Sequence, residues 1–590
     1  MKVVSIFARV MIAGGCCFTL SAAAPSRCAC SRAAPSVGLD PYDYKELVAR
    51  DVNPVKVAPN AAGHVVADFG KDAVGWLELD GPDAGPYEIV IGELLNGKGE
   101  VTNEYPKSTI RCQRLVGQKP SGKYRVPMPA DRFNLKGYDP KAPAILLPER
   151  FDVVFPFRYV EIVRGPKMSL RQFAVNYPID MGKSAFDCDC ADLVRVYDFC
   201  KYSILATSFC GVYVDGDRER TPYEADAYIN QLCHYAIDDD CSLARKSHEW
   251  LMEHPTWPTE WRQHSVMMAW ADWMWTGDTR SLAKYYDRLA TEKLMVKFAR
   301  SSDGLLETGG ERKKGAKPGA SDIVDWPPVE RDGFVFRPVN AVVNAFFYRN
   351  LREMSDISKA LGKADRAAAF SDRAQQVQKS FQNAFYRPES GLYADGEGTD
   401  HCSLHANVAA LAFGLVPKDR VAAIADFIER KGMACSVYFS QYLLEALFEA
   451  GRAEAAIRLM ASRGDRSWIG MMDFGSTVSM EAWNVAAKPN LDLNHAWGST
   501  PLNVIARYVI GVTPLEPGFR KIAIRPQLGG LKRLSATVPT VAGPVSVKIE
   551  DGVLEFTSPS PSEVTFAGKV HAFPSGCHRM DASSSHKCCK

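Results

Sequence analysis

Between about Asp187 and Ile510 the apolar residues of this chain recur with the period of a helix, in a long series of separate amphipathic segments. Bounded by Gly, Pro, Asp or Ser, about twelve helices are predicted, over 189–206, 222–236, 239–253, 259–276, 278–300, 336–360, 363–383, 402–413, 417–430, 437–450, 453–465 and 494–510. A solenoid would show a fixed repeat with similar loops, and no such repeat is found. Six α-hairpins closing on themselves, an (α/α)6 barrel, accommodate twelve helices joined by unequal loops. The inequality is ordered. Connections after even-numbered helices are short, as at Ile237-Asp238, Gly277, Leu361-Gly362, Gly414-Leu415-Val416 and Gly451-Arg452. Those after odd-numbered helices are mostly longer. Successive helices alternate in direction, so the long loops gather at one end of the barrel, where function usually lives.

On either side the period changes to that of strands. His64-Val65-Val66-Ala67-Asp68-Phe69, Tyr87-Glu88-Ile89-Val90-Ile91 and Phe157 to Val163 precede the helices, and Lys521 to Arg525 and Val545 to Ile549 follow them. The expected division is a signal peptide over 1–24, an N-terminal β-sandwich over 25–183, the helical barrel over 184–512 and a C-terminal β-sandwich domain with its tail over 513–590. The connection from Asn176 to Ser184 is too short to be a flexible tether, so the N-terminal sandwich should pack rigidly on the barrel.

Met1-Lys2, the apolar run from Val3 to Leu20 and Ser21-Ala22-Ala23-Ala24 have the layout of a secretory signal peptide, which places the mature protein outside the cytoplasm. Cys16-Cys17 loosely fits a lipoprotein cleavage site but lacks the aliphatic residue three places earlier, so lipid anchoring is the lesser reading. No other long apolar run exists to span a membrane. In an oxidising compartment the 16 cysteines allow several disulfides, although some could be free and buried. Cys188-Asp189-Cys190 and Cys588-Cys589 lack zinc-site spacing, and His401 and His405, four apart, lack the HExxH glutamate, so no metal is expected. No cofactor motif occurs either. With 71 basic against 69 acidic residues and no block of one sign, nucleic acid is excluded and a neutral partner is indicated.

Chemistry is concentrated in two of the long loops. The first reads Asp215-Gly216-Asp217-Arg218-Glu219-Arg220-Thr221-Pro222-Tyr223-Glu224-Ala225-Asp226. Glycoside hydrolysis needs one carboxylic acid to protonate the leaving oxygen and a second carboxylate to activate water or attack carbon. The same loop would also serve as a salt-bridged turn. The second, Gly475 to Trp483 followed by Asn494-His495-Ala496-Trp497-Gly498, places Glu481 beside Trp483, and aromatic faces stack on sugar C–H surfaces. A helix-capping role for Glu481 stays open. Other long loops at that end carry Trp257 with Glu260 and Trp261, Asp325 with Trp326, and Asp400-His401. Trp257, Trp261, Trp326 and Trp483 are therefore expected to border one sugar pocket.

At these residues the chain resembles glycoside hydrolase family 78, the α-L-rhamnosidases. Arg218, Glu219 and Asp226 fall in register with the family's acid motif, Thr477 to Trp483 is similar to the segment that carries its base, and Asn494 to Gly498 resembles its Asn-His-Tyr-x-Gly stretch. Pro517-Gly518-Phe519 with Ile524-Arg525-Pro526 resembles its C-terminal signature, and Asp68-Phe69-Gly70 and Phe157 to Glu161 its accessory β-domain. The departures are Pro222-Tyr223 in place of Gly-Trp, a displaced Asp215, Met480 where the family has Trp, and Trp261-Arg262-Gln263 where the family often has Trp-Gly-Asp. The resemblance implies a hydrolase that removes terminal α-L-rhamnose with inversion, Glu219 acting as general acid and Glu481 as base. Asp215, Arg218, Asp226, Trp257, Glu260, Trp261, Asp325, Trp326, Trp483, His495 and Trp497 are the expected substrate-binding residues. Arg218 should hold the sugar or a neighbouring acid rather than pair tightly with Glu219. A six-hairpin hydrolase for another sugar and a degenerate carbohydrate-binding protein are the alternatives; the latter would predict loss of a carboxylate.

Overall fold

The computed structural model describes residues 40–136, 143–311 and 316–582. The expected signal peptide, the Cys16-Cys17 pair and Cys588-Cys589 lie outside the described residues.

The N-terminal strands are β1 (Val48–Val52), β2 (Lys56–Pro59), β3 (Val65–Asp80), β4 (Gly85–Gly92), β5 (Cys112–Lys119), β6 (Tyr124–Arg125), β7 (Phe155–Arg164) and β8 (Ser169–Asn176). Hydrogen bonds join them into one sheet, in the order β1-β8-β3-β7-β4-β5 with β2 and β6 also on β3, rather than the two separate sheets of the expected sandwich. The cause is β3, 16 residues long, whose register slips between Asp68 and Ala73. It pairs with β2 before this bulge, with β8 and β6 beyond it and with β7 across it. A bulge bends a strand and sharpens its twist. The sheet curls over its own core of Phe69, Leu77, Ile89, Ile91, Phe157 and Val160.

Apart from one four-residue helix in the N-terminal region, Phe133–Lys136, the α-helices of the described residues are α1 (Ala191–Thr207), α2 (Glu224–Tyr235), α3 (Ser242–Glu253), α4 (Thr259–Thr276), α5 (Arg280–Arg288), α6 (Ala341–Ala360), α7 (Ala364–Phe385), α8 (Leu404–Ala412), α9 (Val421–Lys431), α10 (Ser440–Glu449), α11 (Ala453–Met460), α12 (Trp468–Asp473) and α13 (Thr500–Val504). All but α12 overlap an anticipated segment. Where boundaries differ the reason is local. α6 starts late because Pro338 precedes it and Asn340 caps it, accepting from the backbone N–H of Val343. α5 ends early in a π turn, Leu289–Lys293, where the Lys293 ammonium is buried against Leu251 O (3.1 Å) and Glu224 (3.5 Å).

α2, α4, α6, α8, α10 and α13 each pack on the next, and α13 returns to α2. These six are the inner helices; α2 is buried along its whole length. The odd-numbered helices α1 to α11 pack against these inner neighbours, α7 and α9 keeping one exposed face. After α13 come two sheets. Val512–Glu516, Lys521–Ile524, Ser562–Phe566 and Lys569–Phe573 form one. The other contains Leu534–Val538, Val545–Glu550, Val553–Ser558 and Gly576–Asp581, and its fifth strand is Ala185–Cys188, from the connection that enters α1.

The N-terminal sheet and the connection that follows it are fastened to the helical region by specific bonds. Tyr177 donates to Asp240 (2.8 Å), Lys183 pairs with Asp238 (2.7 Å), and the N–H of Asp72 donates to Thr477 (2.8 Å). One hydrophobic core runs from Val74, Leu94 and Ile110 of this region into the helices. Cys112, Cys188, Cys190, Cys200, Cys210, Cys233, Cys241, Cys402 and Cys435 are free thiols, which corrects the expectation of several disulfides for these positions. No helix among the described residues is long and apolar enough to cross a membrane.

Candidate active site

The segments leading into α2, α4, α6 and α13 meet around a cavity of about 250 Å³. Asp215, Arg218, Glu219, Tyr223 and Asp226 line it from the first, Trp257 and Trp261 from the second, Ile323 and Trp326 from the third, and Glu481, Lys488, Asn490, His495 and Trp497 from the last. The helix N-termini there add positive potential to a site rich in carboxylates.

The acid loop is shaped by its own backbone. The N–H of Asp215 donates to Thr221 O (3.0 Å) and that of Thr221 to the Asp215 carboxylate (3.0 Å). Gly216 is required by a close approach, since a Cβ there would lie 2.6 Å from Asn494 O and from the Asp492 carboxylate. Two of the loop's charges are structural. Asp217 accepts from Arg220 (2.7 Å) and from Arg111 of the N-terminal region (2.6 Å), and these guanidinia outweigh burial and hold its carboxyl below the usual range.

Arg218 joins the two glutamates. Its Nη2 donates to Oε1 of Glu219 (2.9 Å) and to Oε1 of Glu481 (2.7 Å), while Nη1 donates to Asn490 O (2.8 Å). The expectation that Arg218 avoids close pairing with Glu219 is thus corrected: Glu481 arrives from the opposite loop, and one nitrogen serves both carboxylates. The second oxygen of Glu219 accepts from Tyr223 (2.8 Å), which stands where the resembling motif has Trp. Burial raises the Glu219 carboxyl, opposed by Arg218 and the Tyr223 hydroxyl, and burial prevails. Asp215 is driven well above its ordinary range by burial and then by neighbouring Glu219.

Glu481 has the opposite balance. Burial would raise it, but Arg218, Lys488 (2.8 Å) and His495 outweigh burial and hold it at about 2. Its N–H donates to Asp492 O and its Oε2 accepts from the Asp492 N–H (both 3.3 Å). His495 lies between Asp226 (2.8 Å) and Asp492 (3.3 Å), and these carboxylates outweigh burial to raise it well above its usual range. Glu481, Asp492 and His495 could each offer one atom to a metal, all within 4.8 Å of one another. The chemistry of the set argues against one, because Arg218 and Lys488 already face Glu481 and both ring nitrogens of His495 face carboxylates. His401 and His405 turn to different partners, Asp395 (2.6 Å) and Asp325 (2.7 Å), and share no site.

Three expected substrate-binding residues do not line the cavity. Trp483 is fully buried, donates to Cys435 O (2.7 Å) and packs edge-on against Trp468. Glu260 accepts from the N–H groups of Ile323 and Val324, and so holds a turn in which Val324 has φ 61°, an unfavourable backbone for a β-branched residue. Asp325 accepts from the N–H groups of Trp326 (2.8 Å) and Ser436 (2.9 Å) and bonds His405, tying the Trp326 loop to α8 and to the segment before α10. Both carboxylates position the wall from behind. Trp257, Trp261, Trp326 and Trp497 do line the cavity. Trp261 Nε1, Asp226 Oδ2, Arg218 Nε and Asp492 Oδ2 are buried without a hydrogen-bond partner among the described residues, the kind of groups that ligand hydroxyls satisfy.

Sequence reasoning passed over Lys488, Asn490 and Ile323, which lie in stretches without periodicity, and the supports from the N-terminal region. Besides Arg111, Glu93 accepts from the Asn494 amide (3.1 Å) and the N–H of Thr109 donates to Leu491 O (3.0 Å).

Comparison with known proteins adds the family. The bacterial alpha-L-rhamnosidase 6 hairpin glycosidase domain matches residues 182–509, and the bacterial alpha-L-rhamnosidase C-terminal domain matches 511–567. An alpha-L-rhamnosidase of Streptomyces avermitilis is 27% identical over 300 residues, 49% of this chain and 27% of the relative. The solved alpha-L-rhamnosidase from Dictyoglumus thermophilum superposes with a TM-score of 0.72 at 19% identity, covering 91% of this chain and 64% of that one. The Streptomyces avermitilis alpha-L-rhamnosidase solved in complex with L-rhamnose superposes with a TM-score of 0.72 at 20% identity, covering 91% and 54%. The matched part of the chain thus spans 27% of the length of that curated Streptomyces relative.

Proposed function

Since the chain belongs to the bacterial α-L-rhamnosidase six-hairpin glycosidases, we propose that it hydrolyses terminal α-L-rhamnosides, with the inner and outer helices forming an (α/α)6 barrel and the reaction taking place over the N-termini of the inner ring. One observation carries the reading: two buried glutamates on opposing loops face one cavity, one raised by burial and the other held ionised by Arg218, Lys488 and His495. Glu219 protonates the glycosidic oxygen, and Glu481 takes a proton from the attacking water. Trp257, Trp261, Trp326 and Trp497 supply aromatic surface for the sugar. On the reading of residues 1–24 as a signal peptide, the substrate is met outside the cytoplasm.

The family resemblance implies inversion, but one nitrogen of Arg218 bridges the two glutamates where the attacking water would have to sit. Oε1 of Glu219 and Oε1 of Glu481 are no farther apart than two hydrogen bonds from a single Arg218 nitrogen laid end to end. An inverting pair leaves roughly 6.5–9.5 Å between its carboxyl groups for water, and here the Arg218 nitrogen stands between the two facing oxygens. Inversion therefore requires Arg218 to withdraw from one carboxylate when the sugar binds, whereas retention would make Glu481 the nucleophile. A panel of aryl glycosides tests the reaction class. Cleavage of the α-L-rhamnoside alone is the expected result. Cleavage of a different glycoside would give the other six-hairpin hydrolase, and cleavage of none would give a binding protein.

A further inference from the structure

We infer that the chain carries a second carbohydrate site, in a cavity of about 320 Å³ at the far end of the inner helices from Glu219 and Glu481, built to hold a neutral pyranose. α4 links the two places: Trp261 lines the first cavity and Trp275 the second, about 20 Å apart along the helix. A sugar bound there cannot be the one cleaved.

The chemistry of the walls selects the ligand. Trp270 is half-buried, stacks on no other ring and donates its indole N–H to no acceptor among the described residues. Part of the ring packs on the hydrophobic core and the rest opens on the cavity, and C–H faces of sugars stack on such aromatic surfaces. Around it stand three arginines whose charges are already met from behind. Arg349 donates to Glu353 (2.9 Å), Arg507 to Glu445 (2.5 Å) and Arg525 to Glu563 (2.6 Å). An anion would therefore find little net positive charge. What remains on offer is directional: Nε and Nη2 of Arg507 bond nothing among the described residues, and the carboxylate of Glu449, which accepts from Tyr508 (2.9 Å), opens on the same space. Planar donors and acceptors beside an indole suit hydroxyl groups. The close approach that completes the wall depends on Gly511, since a Cβ there would lie 2.2 Å from the Arg525 carbonyl carbon.

The test is calorimetric titration of the full chain with L-rhamnose, D-galactose, D-glucose, D-mannose and D-xylose, repeated on Trp270→Ala and Trp270→Phe. For at least one sugar, binding should weaken tenfold or more in Trp270→Ala and persist in Trp270→Phe, while both variants cleave an activated aryl rhamnoside within twofold of the parent rate. Absence of any Trp270-dependent binding would overturn the inference, as would an equal loss of binding and hydrolysis in Trp270→Ala. Crystals of the parent soaked in the same sugars give a readout that needs no variant. A ring stacked on Trp270 supports the site, and a sugar seen only beside Glu219 removes it. The hydrolysis rate, read separately, reports on the proposed activity itself.

Discussion

The loop that carries Glu219 and the loop that carries Glu481 meet at one guanidinium, yet they drive their carboxyls in opposite directions. Around Glu219 the neighbours are acids, with Asp215 close by, and its donors are Arg218 and one phenol. Around Glu481 stand Arg218, Lys488 and a charged His495, and they overcome a more complete burial. Burial alone therefore does not decide which carboxylate is the acid; the excess of acids or cations on each loop does.

The sharpest way to break that contrast is to remove each carboxylate. Glu481→Gln should lower the rate by about 10³- to 10⁴-fold on every substrate, because the water activation proposed for it is common to all of them. Glu219→Gln should cost as much on substrates with poor leaving groups and far less on activated aryl rhamnosides, which need little protonation. Equal losses across leaving groups for both variants would erase the distinction between the loops.

Next in size is the cation that belongs to only one side. Lys488→Met removes a neighbour that favours ionised Glu481, so its pKa rises from about 2 and the acid limb of the pH–rate profile moves up; the alkaline limb should stay in place. The rate near the optimum should fall by about tenfold, what losing a charge-assisted hydrogen bond of ~1.5 kcal/mol to Glu481 costs. Movement of the alkaline limb instead would mean that Lys488 acts on Glu219.

Arg111→Ala tests whether the N-terminal region builds the acid loop. It leaves Asp217, fully buried, with Arg220 as its remaining guanidinium partner, and removing one member of a buried pair costs about 3–5 kcal/mol. Denaturant unfolding should show that loss, and an unchanged midpoint would reduce the N-terminal sheet to a passive neighbour.

The smallest effect is expected at Tyr223. Its hydroxyl donates to Glu219 and so favours the ionised form; in Tyr223→Phe the Glu219 pKa rises and the alkaline limb shifts to higher pH. The rate at the optimum should change by no more than about fivefold, the worth of one hydrogen bond. A shift toward lower pH would contradict the assignment of this contact.

Much of this organisation is legible in the chain. Helical periodicity locates twelve of the thirteen α-helices described between Ala191 and Val504, and the alternation of short and long loops brings Asp215 to Asp226 and Glu481 to Trp497 to one end. What periodicity cannot give is which way a side chain in an irregular loop turns. Trp483 and Trp497 are both aromatic and both follow Glu481, but Trp483 points to Trp468 and only Trp497 reaches the cavity. Glu260 reads as a candidate ligand because a buried carboxylate that serves two backbone N–H groups has no signature in sequence. Arg111 and the strand Ala185–Cys188 have their partners far along the chain, at Asp217 and at Leu534–Val538, and pairings of that kind are set by the tertiary fold alone.

The central claim is that Glu219 is an acid and Glu481 a base acting through water, despite the Arg218 nitrogen that now bridges them. Proton NMR of the first turnovers on an aryl α-L-rhamnoside tests it directly. The account predicts that β-L-rhamnose appears first and then mutarotates to the α form. Initial release of α-L-rhamnose would contradict it, showing retention and making Glu481 the nucleophile at the short separation that Arg218 spans.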